Sequence, residues 1–269
     1  TIVLDCANGA TYHIAPTIFS ALGANIIVVN DKPNGLNINK KAGSIHPKSL
    51  QSAVVSHNAD MGIAFDGDGD RVIMVDQNGT LVDGDQLLYL IAQFYIKEGY
   101  KFGGVVGTHM TNLAFEERCK MQSIPFVRAN VGDRYVSAEL DRRNWLLGGE
   151  GSGHIIVKNL HTTGDGIISA LQVLSFLVKN KRSLKDALEE IKLYPQILIN
   201  IPTENKVNLK SRVVKDAIKE SESIMKGMGR VLIRASGTQP LVRVMTEGPA
   251  RAEVSKAAKL LTKTIEGLI

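Results

Sequence analysis

The sequence contains only two cysteines in 269 residues, and neither belongs to a recognisable cysteine framework. Cys6 and Cys119 lie far apart, without CxxC or Cys/His spacing. This excludes a disulfide scaffold, and we expect two buried or unreactive thiols in a reducing cytoplasm. Long apolar runs are also missing, since a membrane span needs about 20 apolar residues and stretches such as 87–92 are far shorter.

No signal peptide is visible at the amino end. The chain starts at Thr1 without an initiator methionine, and residues 2–4 already have the composition of a strand. We therefore expect the chain to be a fragment of a longer protein with a cytoplasmic location.

Basic residues are concentrated near the carboxyl end. Residues 195–269 hold 13 Lys and Arg against 7 Asp and Glu, and the whole chain carries a net charge of +5. Such a bias can attract nucleic acid. Here the charges fall at helical spacings over 208–226 and 251–263, aromatic residues are few, and no DNA- or RNA-binding motif is present. We predict solvated helix faces, with neither a nucleic-acid nor a membrane partner.

An acidic loop occupies residues 66–71, where aspartates alternate with glycines and an arginine follows. Three carboxylates this close repel one another unless a cation lies among them, and Asp oxygens suit a hard divalent ion such as Mg²⁺. Apolar stretches at 61–65 and 72–75 predict a turn between two buried strands. The candidate metal ligands are Asp66, Asp68 and Asp70, and the adjacent Arg71 suggests phosphate chemistry.

An EF-hand calcium loop also begins with Asp at its first, third and fifth positions. It then requires glycine at the sixth position and glutamate at the twelfth. Arg71 and Gln77 occupy those places, and the flanks have strand rather than helix patterns. The EF-hand interpretation is excluded.

Residues 234–240 form a second polar loop between two predicted strands. A phosphate dianion is bound well by three kinds of donor found here: hydroxyl groups, backbone amides left accessible by glycine, and the guanidinium groups of arginine. A polar hairpin that satisfies its own backbone is the alternative. The candidate phosphate ligands are Arg234, Ser236, Gly237, Thr238 and Arg243.

A glycine-rich loop at 148–154 offers Glu150, Ser152 and His154. Glutamate can accept hydrogen bonds from sugar hydroxyls, and a histidine in a mobile loop can transfer a proton. A structural histidine is equally compatible with the sequence. Asp133 and Arg134 follow another glycine, where phosphate binding and a helix start capped by Asp133 are both open.

Short β-branched runs alternate with amphipathic helical stretches, as in α/β domains with parallel or mixed sheets. Similar strand–helix–strand spacing after residues 2 and 104 weakly suggests a duplicated domain. The composition changes near residue 194. We predict two similar α/β mixed-sheet domains, 1–80 and 81–194, followed by a smaller α+β domain, 195–269.

These loops, together and in this order, resemble the α-D-phosphohexomutase superfamily, and within it the bacterial phosphoglucosamine mutases. The resemblance covers essentially the whole chain, which is similar to the last three of the four domains of that family. It is carried by Asp5–Tyr12, Gly35–Asn39, Gly62–Val75, Val131–Tyr135 and Thr162–Gly166.

The resemblance implies a role for each domain and for its loop. The first domain would bind catalytic Mg²⁺ through the three aspartates, with Arg71 next to the transferring phosphoryl group. In the second, Glu150 and Ser152 would bind sugar hydroxyls, His154 would be a possible proton-transfer group, and Asp133 with Arg134 would orient the substrate. In the third, the phosphate that does not react would be held by Arg234, Ser236, Gly237, Thr238 and Arg243.

Members of this family carry a catalytic serine in an N-terminal domain, phosphorylated in the active enzyme. That serine has no counterpart here, because Ser56-His57 is not followed by the Asn-Pro of the family signature. We therefore expect the chain alone to be inactive. Gln239 also departs from the family, which usually has a glutamate there, and removes a charge from the phosphate loop.

The resemblance implies an isomerase that interconverts glucosamine 6-phosphate and glucosamine 1-phosphate through a phosphoserine and a bisphosphate intermediate. The product would feed amino-sugar and cell-wall precursor synthesis. The implied cofactor is Mg²⁺, and the implied partners are the phosphorylated amino sugar and the missing N-terminal catalytic domain. A phosphoglucomutase or phosphomannomutase, or a non-catalytic fragment that binds Mg²⁺ and phosphosugar, remain alternatives.

Overall fold

The structure, a computed structural model, describes residues 1–203, 207–236 and 239–269. These residues separate into two compact units. The first unit comprises residues 1–111 and 118–192, and the second comprises residues 112–117 and 193–269. The predicted domains 1–80 and 81–194 thus fall largely within one unit, although each has a sheet of its own. The boundaries at 80 and 194 stay predictions.

The first sheet has five strands in the order β2-β1-β3-β4-β5. Strand β1 pairs in parallel with β2 and β3, whereas β3–β4 and β4–β5 are antiparallel. The strands are β1 Ile2–Asp5, β2 Ile26–Val29, β3 Met61–Phe65, β4 Val72–Asp76 and β5 Leu81–Val82. Two helices accompany them, α1 Ile14–Ala21 and α2 Lys48–Ser56.

Central strands of this sheet are covered on both faces. Every residue of β1, β3 and β4 is buried, which explains why their sequences are continuous apolar runs instead of alternating ones. Leu50 and Val54 of α2 pack with Val3, Ile73 and Val75 of the sheet in one core cluster. This packing fixes the strand ends from which the acidic loop extends.

The second sheet has four strands, with the same order and directions as the first four strands of the first sheet. Its order is β7-β6-β8-β9, with β6 parallel to β7 and β8, and β9 antiparallel to β8. The strands are β6 Val105–Thr108, β7 Phe126–Ala129, β8 Leu147–Gly149 and β9 Ile155–Val157. The helices are α3 Gly84–Lys97, α4 Leu113–Met121, α5 Asp133–Arg143, α6 Gly166–Asn180 and α7 Leu184–Ala187. The shared order and strand directions support the duplication suggested by the sequence.

The composition of residues 183–192 predicts a helix over that whole stretch, but the structure limits it to α7, Leu184–Ala187. The chain turns after Ala187 and brings the carboxylate of Glu190 to the hydroxyl of Tyr89, 3.2 Å away, and the guanidinium of Arg118, 2.8 Å away. These polar contacts take the place of further helical turns.

The third sheet is antiparallel, with the order β10-β12-β11. Two helices contribute Val214, Leu261 and Ile265 to a core with Val242 and Val244 of the central strand. The elements are β10 Gln196–Pro202, α8 Arg212–Ile224, β11 Arg230–Ala235, β12 Leu241–Glu247 and α9 Arg251–Glu266. The predicted fold class, two similar α/β mixed sheets followed by a smaller α+β unit, is confirmed.

None of the helices in the described ranges is both long enough and apolar enough to cross a membrane.

Candidate metal and sugar-phosphate site

The acidic loop joins β3 to β4, whose last and first residues, Phe65 and Val72, are direct partners in the sheet. Gly69 has φ +81°, a backbone conformation that glycine adopts without steric cost. The loop backbone is held from a neighbouring segment, because Ala10 N donates to Gly67 O at 2.8 Å and Gly9 packs directly on Gly67. A side chain at Gly9 would fall 2.2 Å from that carbonyl oxygen.

The three aspartates converge as the sequence predicts. Asp66, Asp68 and Asp70 each offer a carboxylate oxygen, and these oxygens lie within 4.8 Å of one another. Asp66 is buried, Asp70 is half-buried and Asp68 is exposed, so the cluster opens to solvent on one side.

The electrostatics of this cluster fit a cation. Burial, together with the nearby carboxylates of Asp70 and Asp68, raises the pKa of Asp66 to about 6, although Arg71 N donates to Asp66 Oδ1 at 3.1 Å and opposes the shift. Among the described residues, Asp70 Oδ1 is buried and accepts no hydrogen bond. Crowded carboxylates with an unsatisfied buried oxygen are a donor set suited to Mg²⁺.

Arg71 lies beside the cluster with its side chain 42% exposed. Its Nε is 3.8 Å from both Asp66 Oδ2 and Asp70 Oδ1, too far for a hydrogen bond. The guanidinium is therefore close to the acidic loop and still open to an anionic ligand.

The glycine-rich loop is a tight hairpin between β8 and β9. Glu150 N donates to His154 O at 3.0 Å, and Gly153 N donates to Glu150 O at 2.9 Å. Gly84 N donates to Gly151 O at 3.0 Å, and a Cβ on Gly84 would fall 2.1 Å from Glu150 O. The three-residue strands that frame the hairpin were not predicted, because both are short and two of the three residues of β8 are glycines, which weaken the strand signal.

Main-chain contacts join the hairpin to the acidic loop. Arg71 and His154 form an antiparallel bridge, and Val72 N donates to Gly153 O at 3.0 Å. His154 is buried, and its Nδ1 lies 3.1 Å from Asp70 Oδ2. Of the two interpretations of His154 that the sequence left open, near-complete burial favours a structural role.

Glu150 connects the hairpin to the loop before α5. Its Oε1 accepts a hydrogen bond from Gly132 N at 2.8 Å, whereas Ser152 is exposed. Asp133 and Arg134 are also exposed in the first turn of α5, and the guanidinium of Arg134 packs on the ring of Tyr135. Of the two alternatives that the sequence left open here, the helix start exists, but Gly132 occupies the N-cap position and Asp133 does not cap the helix.

One segment near the acidic loop contains none of the predicted site residues. Gly166 N donates to Gly69 O at 2.9 Å, and Gly164 packs against the ring of His154. The stretch 162–166 had contributed to the family resemblance, which was the only signal available for it.

In the second unit, two of the predicted phosphate ligands lie on strands, Arg234 on β11 and Arg243 on β12, and Ser236 directly follows β11. Arg234 and Arg243 are directly paired across the two strands, so both side chains project from the same face of the sheet. Arg243 Nε is buried and makes no hydrogen bond within the described residues. Ser236 Oγ accepts from Gln239 N at 3.3 Å. Gly237 and Thr238 lie outside the described residues.

Family models of phosphoglucomutase/phosphomannomutase match three parts of the chain. Alpha/beta/alpha domain II matches residues 1–79, alpha/beta/alpha domain III matches residues 83–194, and the C-terminal domain matches residues 198–263.

Two curated relatives are phosphoglucosamine mutases. The protein from Methylobacillus flagellatus is 54% identical over 266 residues, which cover 98% of this chain and 59% of the relative. The protein from Pseudomonas aeruginosa strain LESB58 is 55% identical over 265 residues, covering 98% of this chain and 60% of the relative. This chain thus spans about 60% of the length of the curated relatives it matches.

Solved structures share the fold at low identity. Aspergillus fumigatus N-acetylphosphoglucosamine mutase, in complex with GlcNAc-6P and magnesium, has a TM-score of 0.80 at 24% identity, over 100% of this chain and 62% of that chain. A phosphoglucomutase/phosphomannomutase family protein from Burkholderia thailandensis has a TM-score of 0.80 at 19% identity, over 99% and 60% of the respective chains. Matches to three successive domain models and half-identical relatives along almost its full length establish that this chain belongs to the phosphoglucomutase/phosphomannomutase family of phosphohexomutases.

Proposed function

We propose that this chain is the cation- and sugar-phosphate-binding part of a phosphoglucosamine mutase, which interconverts glucosamine 6-phosphate and glucosamine 1-phosphate. The observation that carries the proposal is the convergence of three aspartate oxygens within 4.8 Å beside Arg71. Relatives that are about half identical and named phosphoglucosamine mutases support the choice of sugar. The product would enter amino-sugar and cell-wall precursor synthesis.

Phosphoryl transfer between two hydroxyls of one sugar requires positioning and charge neutralisation more than covalent chemistry. Asp66, Asp68 and Asp70 would hold Mg²⁺, which when bound neutralises charge on the phosphoryl group. Arg71 would lie next to the transferring group, where its exposed guanidinium can contact phosphate oxygens.

The remaining site residues would bind the sugar and its second phosphate. Glu150 and Ser152 would contact sugar hydroxyls, while Asp133 and Arg134 would orient the substrate. Glu150 already accepts a hydrogen bond from Gly132, so its second carboxylate oxygen is the one left for a hydroxyl. The phosphate that does not react would be held by Arg234, Ser236, Gly237, Thr238 and Arg243.

We infer that the phosphoryl donor is a phosphoserine of an N-terminal domain, as the family resemblance implies. It would transfer its phosphoryl group to the free hydroxyl of the sugar monophosphate and give a bisphosphate. The bisphosphate would then return its other phosphoryl group to the serine.

The same proposal includes a cytoplasmic location and domain limits at 1–80, 81–194 and 195–269.

A coupled mutase assay tests this function. The chain alone is expected to bind glucosamine 6-phosphate without turnover. The chain joined to the N-terminal domain of the Methylobacillus flagellatus relative is expected to form glucosamine 1-phosphate, and an Asp68→Asn version of this fusion serves as control. Turnover by the chain alone would contradict the proposed need for a serine elsewhere, and no turnover by a folded, phosphorylated fusion would contradict the mutase assignment.

A phosphoglucomutase or phosphomannomutase is the second candidate, favoured by the descriptions of the matching domain models. The same fusion can be assayed with glucose, mannose and glucosamine 6-phosphates. We expect the largest kcat/KM with the amino sugar, and a clear preference for either neutral hexose would replace the first proposal with this one.

A further inference from the structure

A buried imidazole contacts the acidic cluster from inside the protein. His154 is 3% exposed, and its Nδ1 lies 3.1 Å from Asp70 Oδ2. An ionised carboxylate can only accept a hydrogen bond, so with Asp70 ionised this contact requires the tautomer in which Nδ1 carries the proton. This contact joins two residues that are 84 positions apart in the sequence.

The ring of His154 has little freedom to turn. Its backbone is anchored on both sides, by the bridge to Arg71 and by the hydrogen bond from Glu150 N at 3.0 Å. Gly164 packs against the ring, where an added Cβ would fall 2.5 Å from Cε1 and Nε2 and 2.7 Å from Nδ1. The imidazole is thus a fixed donor aimed at one carboxylate oxygen.

The two oxygens of Asp70 have different surroundings. Oδ2 accepts from His154, whereas Oδ1 is buried and accepts no hydrogen bond within the described part of the chain. Arg71 Nε lies 3.8 Å from Oδ1. Because a carboxylate is planar, holding Oδ2 in place also determines where Oδ1 points.

We propose that His154 is a positioning residue for the cation site, whose Nδ1–H holds Asp70 Oδ2 so that Oδ1 is presented to the divalent ion. This inference rests on the proposed cation site among the three aspartates. A histidine that orients a ligand carboxylate reduces the cost of ordering that carboxylate when the ion binds. Loss of such a supporting hydrogen bond typically lowers metal affinity by about 10–100-fold.

Titration of the chain with Mn²⁺, followed by electron paramagnetic resonance of the free ion, measures this affinity without any enzymatic turnover. His154→Ala is expected to weaken Mn²⁺ binding about 10–100-fold. His154→Asn places an amide N–H near the position of Nδ1 and is expected to stay within a few-fold of wild type. His154→Gln places its amide nearer the position of Nε2 and is expected to bind as weakly as the alanine variant.

His161→Ala is the matched control, because His161 is exposed and close to His154 in sequence. It is expected to leave Mn²⁺ affinity unchanged. Urea unfolding of every variant identifies any that fails to fold. For the wild type, ¹⁵N chemical shifts of the His154 ring report the tautomer directly, and protonation on Nδ1 alone is expected.

The outcomes separate this inference from the cation site itself. If Asp66→Asn abolishes Mn²⁺ binding while folded His154→Ala and His154→Gln bind like wild type, the cation site stands and the positioning role is wrong. A ring protonated only on Nε2 would also overturn the positioning role. If the wild-type chain binds no Mn²⁺, or if Asp66→Asn binds Mn²⁺ as tightly as wild type, the proposed cation site itself is wrong.

Discussion

Arg71 and His154 form an antiparallel backbone bridge between the acidic loop and the glycine-rich hairpin. The bridge continues as a hydrogen bond from Val72 N to Gly153 O at 3.0 Å. Residues that are more than 80 positions apart in sequence are therefore joined directly through the backbone. Their relative position depends on main-chain contacts that leave no room for added side-chain atoms.

Gly153→Ala should destabilise the chain through this junction. Gly153 has φ +95°, and a Cβ there would fall 2.2 Å from Val72 O. Gly23→Ala is a matched control, because Gly23 has φ +92° with no atom within 4 Å of the added Cβ. In urea unfolding we expect a cost of about 1 kcal/mol for Gly23→Ala and on the order of 3–5 kcal/mol for Gly153→Ala. Equal costs would show that the close contact is relieved easily.

Mg²⁺ should stabilise the chain against heat, because an ion that binds only the folded state shifts the unfolding equilibrium. At free Mg²⁺ of 100 times Kd the gain is about 2.7 kcal/mol. Asp68→Asn, which removes an exposed carboxylate from the cluster, should reduce the gain in a thermal unfolding assay. Asp216→Asn changes the same charge on helix α8 and should have no effect; stabilisation that survives Asp68→Asn would place the ion elsewhere.

The hydrogen bond from Gly132 N to Glu150 Oε1, 2.8 Å long, predicts a local effect on amide exchange. Glu150→Ala removes the acceptor, and hydrogen exchange at Gly132 should accelerate by about 5–10-fold, consistent with a loss of about 1 kcal/mol. Ser152→Ala in the same hairpin removes only an exposed hydroxyl and should leave this rate unchanged. Unaltered exchange in Glu150→Ala would mean that the bond contributes nothing to order at Gly132.

Arg234 and Arg243 should act together on phosphate, because they are direct partners on neighbouring strands. Lysine retains the charge but cannot form the bidentate hydrogen bond of arginine. Either Arg→Lys change should therefore raise the Kd for inorganic phosphate about tenfold, which corresponds to about 1.4 kcal/mol of binding free energy. Isothermal titration calorimetry can measure this. Arg251→Lys, at an exposed position on α9, is the control. Equal losses in all three variants would indicate non-specific attraction to the basic unit.

Cys6 should be unreactive in the native chain. Burial raises the pKa of its thiol to about 12, although the neighbouring Thr11 side chain opposes the shift. The pKa of Cys6 in the folded chain therefore lies above its pKa in the unfolded chain, which is about 8.5. The stabilisation from Cys6 is fully present at pH values below the unfolded-state pKa. It is lost as the pH rises toward the folded-state pKa.

We expect no reaction of Cys6 with a disulfide reagent at pH 8 until urea unfolds the chain. Above pH 9 the free energy of unfolding should fall more steeply for wild type than for Cys6→Ala. Rapid native labelling of Cys6, or identical pH profiles for the two proteins, would contradict the effect of burial.

Local sequence was sufficient for most of the fold. The strands on both sides of the acidic loop were predicted as 61–65 and 72–75 and are Met61–Phe65 and Val72–Asp76. Strands buried on both faces are continuous apolar runs, so their pattern can be recognised without knowledge of their neighbours. The strands β8 and β9 were missed because each is three residues long and two of the three residues of β8 are glycines. Strand β8 is placed in the sheet by pairing with β6, which is distant in sequence.

The sequence by itself determined that three aspartates would share one turn, since their spacing of two residues between buried strands allows few other arrangements. Only the tertiary structure decided that Asp70 would face His154 and that Glu150 would accept from Gly132. Each of these contacts joins residues from separate segments of the chain. Such pairs depend on how sheets and loops pack. The free energy of that packing is distributed over many residues, so no short motif determines it.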